Sequence, residues 1–229
     1  MELELLCQPA ATAAKITLQE GEELTAEVGS MIAMSKELQV ETTGRQRGGK
    51  GGFLKGIKRM FSGENYFLNH FTATANAQEL YIGPALIGDI RRHTLRGGSL
   101  TIQGSSWLAS GTGVEIDTSF QGVSAALFSG EGVFWVTCKG EGDVLLNSFG
   151  AIYEIDIDGD YIVDSGHIVA FEDTLQFKVT KAGSSWVSSF LGGEGVVCRF
   201  SGRGKLYCQT HNPTNFGQAL GPGLKARQG

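Results

Sequence analysis

The sequence has few prolines and no long hydrophobic run. Only 4 of its 229 residues are proline, whereas 34 are glycine, so we expect the glycines to mark tight turns and bulges and not a disordered Pro/Gly tract. No apolar run approaches the roughly 18 to 20 residues that a membrane-spanning helix needs. Residues 1–6 are acidic and lack the basic start and apolar stretch of a secretory signal. The sequence therefore predicts a cytoplasmic globular protein.

Motifs for metal binding and nucleophilic catalysis are also missing. The cysteines, Cys7, Cys138, Cys198 and Cys208, form no CxxC pair and have no histidine at zinc-finger spacing. We expect free thiols, with Cys198 and Cys208 placed so that they could face each other across a hairpin. His167 lies in an apolar stretch and is predicted to be a hydrogen-bonded structural residue. Since no GxSxG elbow or Cys–His pairing occurs, we predict no enzyme activity, no catalytic residue, no metal and no cofactor.

What the sequence does contain is strand-forming segments. They are short, rich in β-branched or aromatic residues and bounded by Gly, Asp, Asn or Ser. These segments are residues 24–28, 37–42, 80–82, 99–102, 114–116, 133–137, 144–146, 161–163 and 174–179. Hairpin turns are predicted at the paired glycines of residues 139–142 and 201–204, and an Asp-Gly turn within 155–160. The pattern is typical of an all-β sandwich or barrel.

A short motif occurs three times. Phe-Ser-Gly-Glu-Asn, Phe-Ser-Gly-Glu-Gly and Leu-Gly-Gly-Glu-Gly contain Glu64, Glu131 and Glu194, which lie 67 and 63 residues apart. An apolar segment precedes each motif, at residues 31–34, 107–110 and 167–170. Regular spacing of this kind indicates an internal repeat. The three glutamates either converge on a cation or each bond to the backbone of their own turn, and the second interpretation is favoured.

The repeat predicts three tandem copies of a small antiparallel β-sandwich, packed with pseudo-threefold symmetry. The copies are residues 1–92, 93–158 and 159–212, and residues 213–229 are expected to be a flexible tail. A unit of about 60 residues buries a small share of its surface, so three units are more stable together than apart.

The first copy contains a basic insertion. Residues 44–61 hold six of the chain's 19 basic residues and no acidic one, and their apolar residues recur at spacings of three and four. Such a segment either docks on an anionic lipid surface or caps its own domain with its charges solvated. The predicted binding residues are Arg45, Arg47, Lys50, Phe53, Leu54, Lys55, Ile57, Lys58 and Arg59.

Two other motifs are incomplete. Residues 44–51 nearly fit a P-loop, but Gly51 stands where a Mg²⁺-binding Ser or Thr is needed, and no α/β frame surrounds it. Asp156, Asp158 and Asp160 resemble part of a calcium loop, yet the glycine and the distal glutamate are not at the required positions. Neither motif predicts a ligand site.

Several segments resemble a known family. They are GGFLKGIKRMFSGENYF at residues 51–67, Gly-Asp-Ile at 88–90, Ser-Gly-Glu-Gly at 129–132 and SGHIVAFED at 165–173. Over residues 24–211 the chain resembles the altered-inheritance-of-mitochondria protein twenty-four family. The resemblance implies three β-sandwich units related to the tryptophan RNA-binding attenuation protein, and it supplies no catalytic residue.

We therefore predict a non-enzymatic scaffold or interaction protein. Its partner would be a protein or an anionic membrane surface, contacted through residues 44–61, and homo-oligomers could form through exposed strand edges. The net charge of −5 disfavours nucleic acid as a partner. The alternative is a small-ligand or RNA-binding module with a site between copies or between subunits, which depends on fold analogy.

Overall fold

The computed structural model describes residues 1–9, 11–46, 65–117, 135–181 and 196–224. Within these ranges the chain is antiparallel β-structure with one short α-helix. The strands are β1 (Glu2–Leu6), β2 (Ala13–Leu18), β3 (Glu23–Glu27), β4 (Met31–Met34), β5 (Gln39–Gln46), β6 (Asn65–Thr72), β7 (Gln78–Ile82), β8 (Ile90–Gln103), β9 (Trp107–Gly111), β10 (Val114–Asp117), β11 (Trp135–Asn147), β12 (Ile152–Asp164), β13 (Ile168–Glu172), β14 (Leu175–Lys181) and β15 (Val196–Gln209). Helix α1 is Pro213–Leu220, and 3₁₀ turns lie at Gly104–Ser106, Ser165–His167 and Gly221–Gly223. The all-β prediction is confirmed, and each of the nine predicted segments overlaps a strand.

Hydrogen bonding links the described strands into two sets. One is a four-stranded sheet in the order β1-β2-β7-β4. The other follows the order β12-β15-β13-β8-β11-β9-β3-β6-β5, with β10 added on β11 and β14 added on β15. Within the second set, the two halves of the long strands β11 and β15 have different outer neighbours: β10 and β9 lie beside β11, and β14 and β13 lie beside β15.

The predicted glycine turns at 139–142 and 201–204 are wrong. Strands β11 and β15 run straight through these residues. Gly140 has φ of +110° and Gly202 has φ of +113°, and the β11–β8 register shifts between Lys139 and Glu141. A side chain at Gly140 would place its Cβ 2.4 Å from the carbonyl oxygen of Gly113. These glycines therefore allow a bulge and a close strand approach, and not a chain reversal.

Two related predictions fail for the same reason. Cys198 and Cys208 both lie buried on the single strand β15, so they do not face each other across a hairpin. The Asp-Gly turn expected near Gly159 is part of the continuous strand β12, where Gly159 has φ of +115°. The expected alternation of exposed and covered side chains is present there, since Ile157 is buried between the exposed Asp156 and Asp158.

Buried apolar side chains of the described residues form three clusters. The first is mainly aliphatic and includes Ile16, Leu18 and Leu80. The second surrounds Trp107. The third is aromatic, and its rings contact each other with centroid distances of 5.1 to 5.6 Å. These rings belong to Trp135, Phe171, Phe177 and Phe200. Burial of these side chains is the main stabilising contribution to each layer.

The C-terminal segment contains helix α1, where a flexible tail was expected. Asn212 caps this helix, because its side chain accepts hydrogen bonds from the backbone N–H groups of Thr214 at 2.9 Å and Asn215 at 3.3 Å. Phe216 contacts Phe149 at 5.0 Å between ring centroids. The copy boundaries expected at 92/93 and 158/159 fall inside the continuous strands β8 and β12.

Candidate interaction surfaces

The β5–β6 hairpin carries the basic segment. Its antiparallel register runs from Gln39 opposite Thr72 to Gln46 opposite Asn65. The last pair of this ladder, Gln46 and Asn65, flanks residues 47–64. Arg45 lies in β5, opposite Tyr66. The other predicted binding residues, Arg47, Lys50, Phe53, Leu54, Lys55, Ile57, Lys58 and Arg59, lie outside the described residues.

Polar side chains connect this hairpin to β3. His70 on β6 contacts the Thr25 hydroxyl through Nδ1 at 3.0 Å and the Thr43 hydroxyl through Nε2 at 2.7 Å. The Thr42 hydroxyl donates to Asn69 at 2.7 Å. The base of the hairpin is thus held to its neighbouring strand by side chains as well as by the backbone ladder.

An ion pair occurs at the same diagonal position of three strand pairs. Lys15 and Glu79 join β2 to β7 at 2.7 Å, and Arg92 and Asp143 join β8 to β11 at 2.6 Å. In the third pair the charges are exchanged: Glu154 of β12 meets Lys205 of β15 at 2.9 Å. Each is partly exposed to solvent, so each is expected to add less than about 1 kcal/mol.

Carboxylates along β12 face cations on β15. Asp156 accepts a hydrogen bond from Lys205 at 3.1 Å, and Asp158 accepts one from Arg203 at 2.8 Å. Asp160 accepts one from Arg199 at 2.8 Å. The hydrogen bond from Arg199 lowers the pKa of Asp160. These carboxylates form a ladder of ion pairs across two strands and do not converge on one point.

The described part of the chain contains no group of His, Cys, Asp and Glu side chains arranged to hold a metal. Glu64, Glu131 and Glu194 lie outside it. Burial raises the pKa values of Cys138, Cys198 and Cys208 to about 12. Thiols with such pKa values stay protonated near neutral pH and are poor nucleophiles.

The histidines with described hydrogen bonds have structural roles. His167 Nδ1 lies 2.8 Å from the carbonyl oxygen of Gln209, which confirms the prediction for this residue. His93 Nδ1 lies 2.9 Å from the Tyr207 hydroxyl, and the two rings meet edge to face. Burial lowers the pKa of His93 and raises that of Tyr207 to about 12. Both groups are therefore neutral at pH 7, and their contact ties β8 to β15.

Two short stretches on sheet edges differ from the other edges because three or four consecutive residues carry no charge. Most outer strand segments of the described sheets have charged side chains, including Glu2 and Glu4 of β1, Glu41 of β5, Arg91 and Arg92 of β8, Glu115 of β10 and Lys178 of β14. Strand β4 reads Met-Ile-Ala-Met, and residues 161–163 of β12 read Tyr-Ile-Val. Ile32 and Ile162 are 62% and 64% exposed. Charges protect an edge from pairing with another chain, so these two edges are open to it.

Among the residues that the structure describes, no helix has the length and apolar character needed to cross a membrane.

Comparison with known proteins identifies relatives over nearly the whole chain. The family model described as AIM24, mitochondrial biogenesis, matches residues 3–211. The uncharacterized protein M6_Spy0233 of Streptococcus pyogenes serotype M6 is 29% identical over 210 residues, which make up 90% of this chain and 84% of the relative. The crystal structure of protein SPYM3_0169 from Streptococcus pyogenes has a TM-score of 0.77 at 25% identity, over 97% of this chain and 99% of that one.

Proposed function

The chain belongs to the mitochondrial biogenesis AIM24 family, and from that premise we propose that it is a non-enzymatic scaffold or interaction protein that contacts an anionic membrane surface through residues 44–61. The observation that supports this most is the placement of the segment. Residues 44–46 belong to β5, and the last pair of the β5–β6 ladder, Gln46 and Asn65, flanks residues 47–64. A segment anchored in this way can present its side chains without disturbing the sheet.

The distribution of charge supports an anionic partner. Residues 44–61 contain six of the 19 basic residues and none of the 24 acidic ones. The rest of the chain is therefore strongly acidic, and the molecule has a basic region on an acidic body. Each basic residue near an anionic membrane contributes about 1 kcal/mol, and the apolar residues between them can enter the interface. The acidic body would also orient the molecule, because it is repelled from the same surface.

We also propose that the body consists of three related units of the attenuation-protein type. Strand pairs β4–β7, β9–β11 and β13–β15 each have a register irregularity at the same place, which aligns Met31, Trp107 and Ile168. The three diagonal ion pairs occupy matching positions in that alignment. The sequence motif aligned His167 with Trp107, one residue away from the alignment that the strand pairing supports.

Co-sedimentation with vesicles tests the membrane contact. The triple variant Lys50→Gln, Lys55→Gln, Lys58→Gln removes three of the segment's charges. The matched control removes three exposed lysines elsewhere, Lys36, Lys139 and Lys178. We expect wild type and control to bind phosphatidylserine vesicles in low salt and to bind phosphatidylcholine weakly. The segment variant should bind about a hundredfold more weakly, since three contributions of about 1 kcal/mol are lost.

Two results would contradict the membrane contact. One is binding that does not change with lipid charge or with salt. The other is an equal loss of binding in the segment variant and in the control, because that would reflect net charge alone. Either result would leave a protein as the partner of this surface.

A further inference from the structure

We propose that β4 and residues 160–164 of β12 are complementary edges through which a second copy of this chain adds head to tail. This surface is separate from residues 44–61, so it does not depend on the membrane contact. We infer a second copy of this chain as the partner because the chain already makes the same kind of strand pairing twice within itself.

The two internal joints have the same construction. In each, a strand pairs with a short strand that follows a 3₁₀ turn further along the chain: β9 follows Gly104–Ser106 and β13 follows Ser165–His167. Strand β3 pairs with β9 and places Thr25 opposite Ser110, and β8 pairs with β13 and places Thr101 opposite Phe171. On its other side, β9 pairs with β11, and β13 pairs with β15. Each joint therefore fuses three strands from one part of the chain with three from the next, in the orders β5-β6-β3-β9-β11-β8 and β10-β11-β8-β13-β15-β12.

Strand β4 corresponds to β9 and β13. It pairs with β7 with the same irregularity that β9 shows with β11 and β13 shows with β15. Its other edge corresponds to the edge that β9 and β13 use in the internal joints. In the strand pairing of the described residues, that edge of β4 has no partner.

The end of β12 corresponds to the end of β8. Ile162 lies opposite Arg199 of β15, just as Thr101 lies opposite Thr137 of β11. The free edge of residues 160–164 therefore corresponds to the edge with which β8 pairs with β13. The described pairing gives this edge no partner either. Strand β4 in the first part of the chain thus presents one half of a third joint. The end of β12 in the last part presents the other half.

At matching positions, side chains on the paired edges are buried, whereas side chains on the unpaired edges are exposed. Thr101 is 5% exposed within its joint, whereas Ile162 at the matching position is 64% exposed. Leu108 of β9 is fully buried, whereas Ile32 of β4 is 62% exposed. Ile32 and Ile162 are thus apolar side chains exposed at positions where a joint is lacking, as an interface between copies requires.

The internal joints also fix the register of the contact. Transferring their pairing places Tyr161 opposite Ser35, Ile162 opposite Met34 and Val163 opposite Ala33 of a second copy. The product is an antiparallel sheet in the order β14-β15-β12 followed by β4-β7-β2 of the second copy. Since the two edges differ, the contact is heterologous and repeats into a closed ring or an open chain of copies.

Disulfide trapping in the full chain tests the contact and its register. Cys7 is the exposed native cysteine, so all variants carry Cys7→Ser. Cysteines placed directly opposite each other on neighbouring strands are close enough to form a disulfide. We expect a mixture of Met34→Cys chains and Ile162→Cys chains to form covalent dimers under mild oxidation. Each variant alone should form few, and a mixture of Met34→Cys with Tyr161→Cys should form fewer than the Ile162→Cys mixture.

Sedimentation gives an independent measurement. Wild type should contain species heavier than the 24.4 kDa monomer, and Ile162→Lys should lose them. The matched control, Val40→Lys, changes another exposed apolar residue, 44% exposed on β5, and should keep them. Unchanged circular dichroism of both variants excludes misfolding. The proposal is overturned if wild type is monomeric and the mixed cysteines do not cross-link, if each cysteine variant cross-links with itself equally well, or if a chain carrying both cysteines closes only on itself.

Discussion

The first part of the chain, β2 to β7, and the last part, β12 to β15, use similar strand pairing with different interiors. The first interior is mainly aliphatic, whereas the last brings Trp135, Phe171, Phe177 and Phe200 together. Phe71 and Phe200 occupy matching strand positions and are both buried. The difference shows that strand register and alternation determine this architecture, and that the side chains filling it can vary if the volume is matched.

The largest expected effect is in the aromatic cluster. Phe200→Ala should lower the free energy of unfolding by about 3 to 5 kcal/mol because it leaves a cavity. Phe200→Leu should cost more than Phe71→Leu, since Phe200 also loses ring contacts with Phe171 at 5.1 Å and Phe177 at 5.3 Å. Urea denaturation of the four single variants, with Phe71→Ala as the fourth, measures this. Equal costs for the two leucine variants would show that the aromatic contacts add nothing beyond volume.

The second largest expected difference between the two parts is in the pH dependence of stability. Burial raises the pKa of Glu27, at the end of β3, to about 7. Its counterpart at the end of β12, Asp164, accepts a hydrogen bond from the N–H of Gly166 at 2.7 Å. The folded state binds the Glu27 proton more tightly than the unfolded state, so stability should fall as pH rises from about 4.5 to about 7 and then level off. The fall should be at most about 3 kcal/mol.

Glu27→Gln checks this assignment. The amide does not titrate, so the variant should lose this part of the pH dependence and be the more stable protein above pH 7. Thermal unfolding between pH 4.5 and 8 measures both slopes. A variant with the same slope as wild type would assign the dependence to other groups.

Glycine substitutions should affect stability more inside a continuous long strand than in a turn between two short strands. Gly202 lies within β15 at φ of +113°, with a new Cβ 3.0 Å from the Thr174 carbonyl oxygen. Gly21 lies between β2 and β3 at φ of +80° with open space around it. Gly202→Ala should destabilise by about 1 to 3 kcal/mol, and Gly21→Ala by less. Chemical denaturation compares them, and the reverse order would contradict the bulge interpretation.

The smallest effect should come from the exchanged ion pairs. Lys15→Glu places two carboxylates together and should cost less than about 1 kcal/mol. Adding Glu79→Lys creates the arrangement of Glu154 and Lys205 and should restore most of the loss. A double-mutant cycle measures the coupling. A double variant no more stable than Lys15→Glu would show that the two positions do not interact.

Fold class could be predicted from sequence because β-branched and aromatic residues cluster between turn residues. Strand continuity could not. The glycines at 140, 142, 202 and 204 have the spacing of hairpin turns, and only tertiary pairing shows that β11 and β15 pass through them. Strand β2 was missed because Ala13 and Ala14 weaken its strand signal, although burial alternates along it.

The candidate surfaces show a similar division. Charge and apolar spacing predict residues 44–61 as a binding segment, and the structure adds that β5 and β6, on either side of residues 47–64, pair with each other. The open edges could not be found in this way, since Met31–Met34 and Trp107–Gly111 are both apolar segments. Only the strand order of the described residues shows that β9 has a neighbour on both sides, whereas β4 has one on a single side.

Trp135 lies at the start of β11, yet its ring packs edge to face on Phe171, 5.6 Å away on β13. One side of the aromatic cluster in the last part is therefore formed by a residue of β11, the strand that precedes β12 in the chain. Excising either part would expose an indole on one fragment and a hole in the other, so neither could be transplanted as a module. The same indole is one of the chain's 3 tryptophans, so in a variant whose other two tryptophans are replaced its emission should report loosening of the last interior.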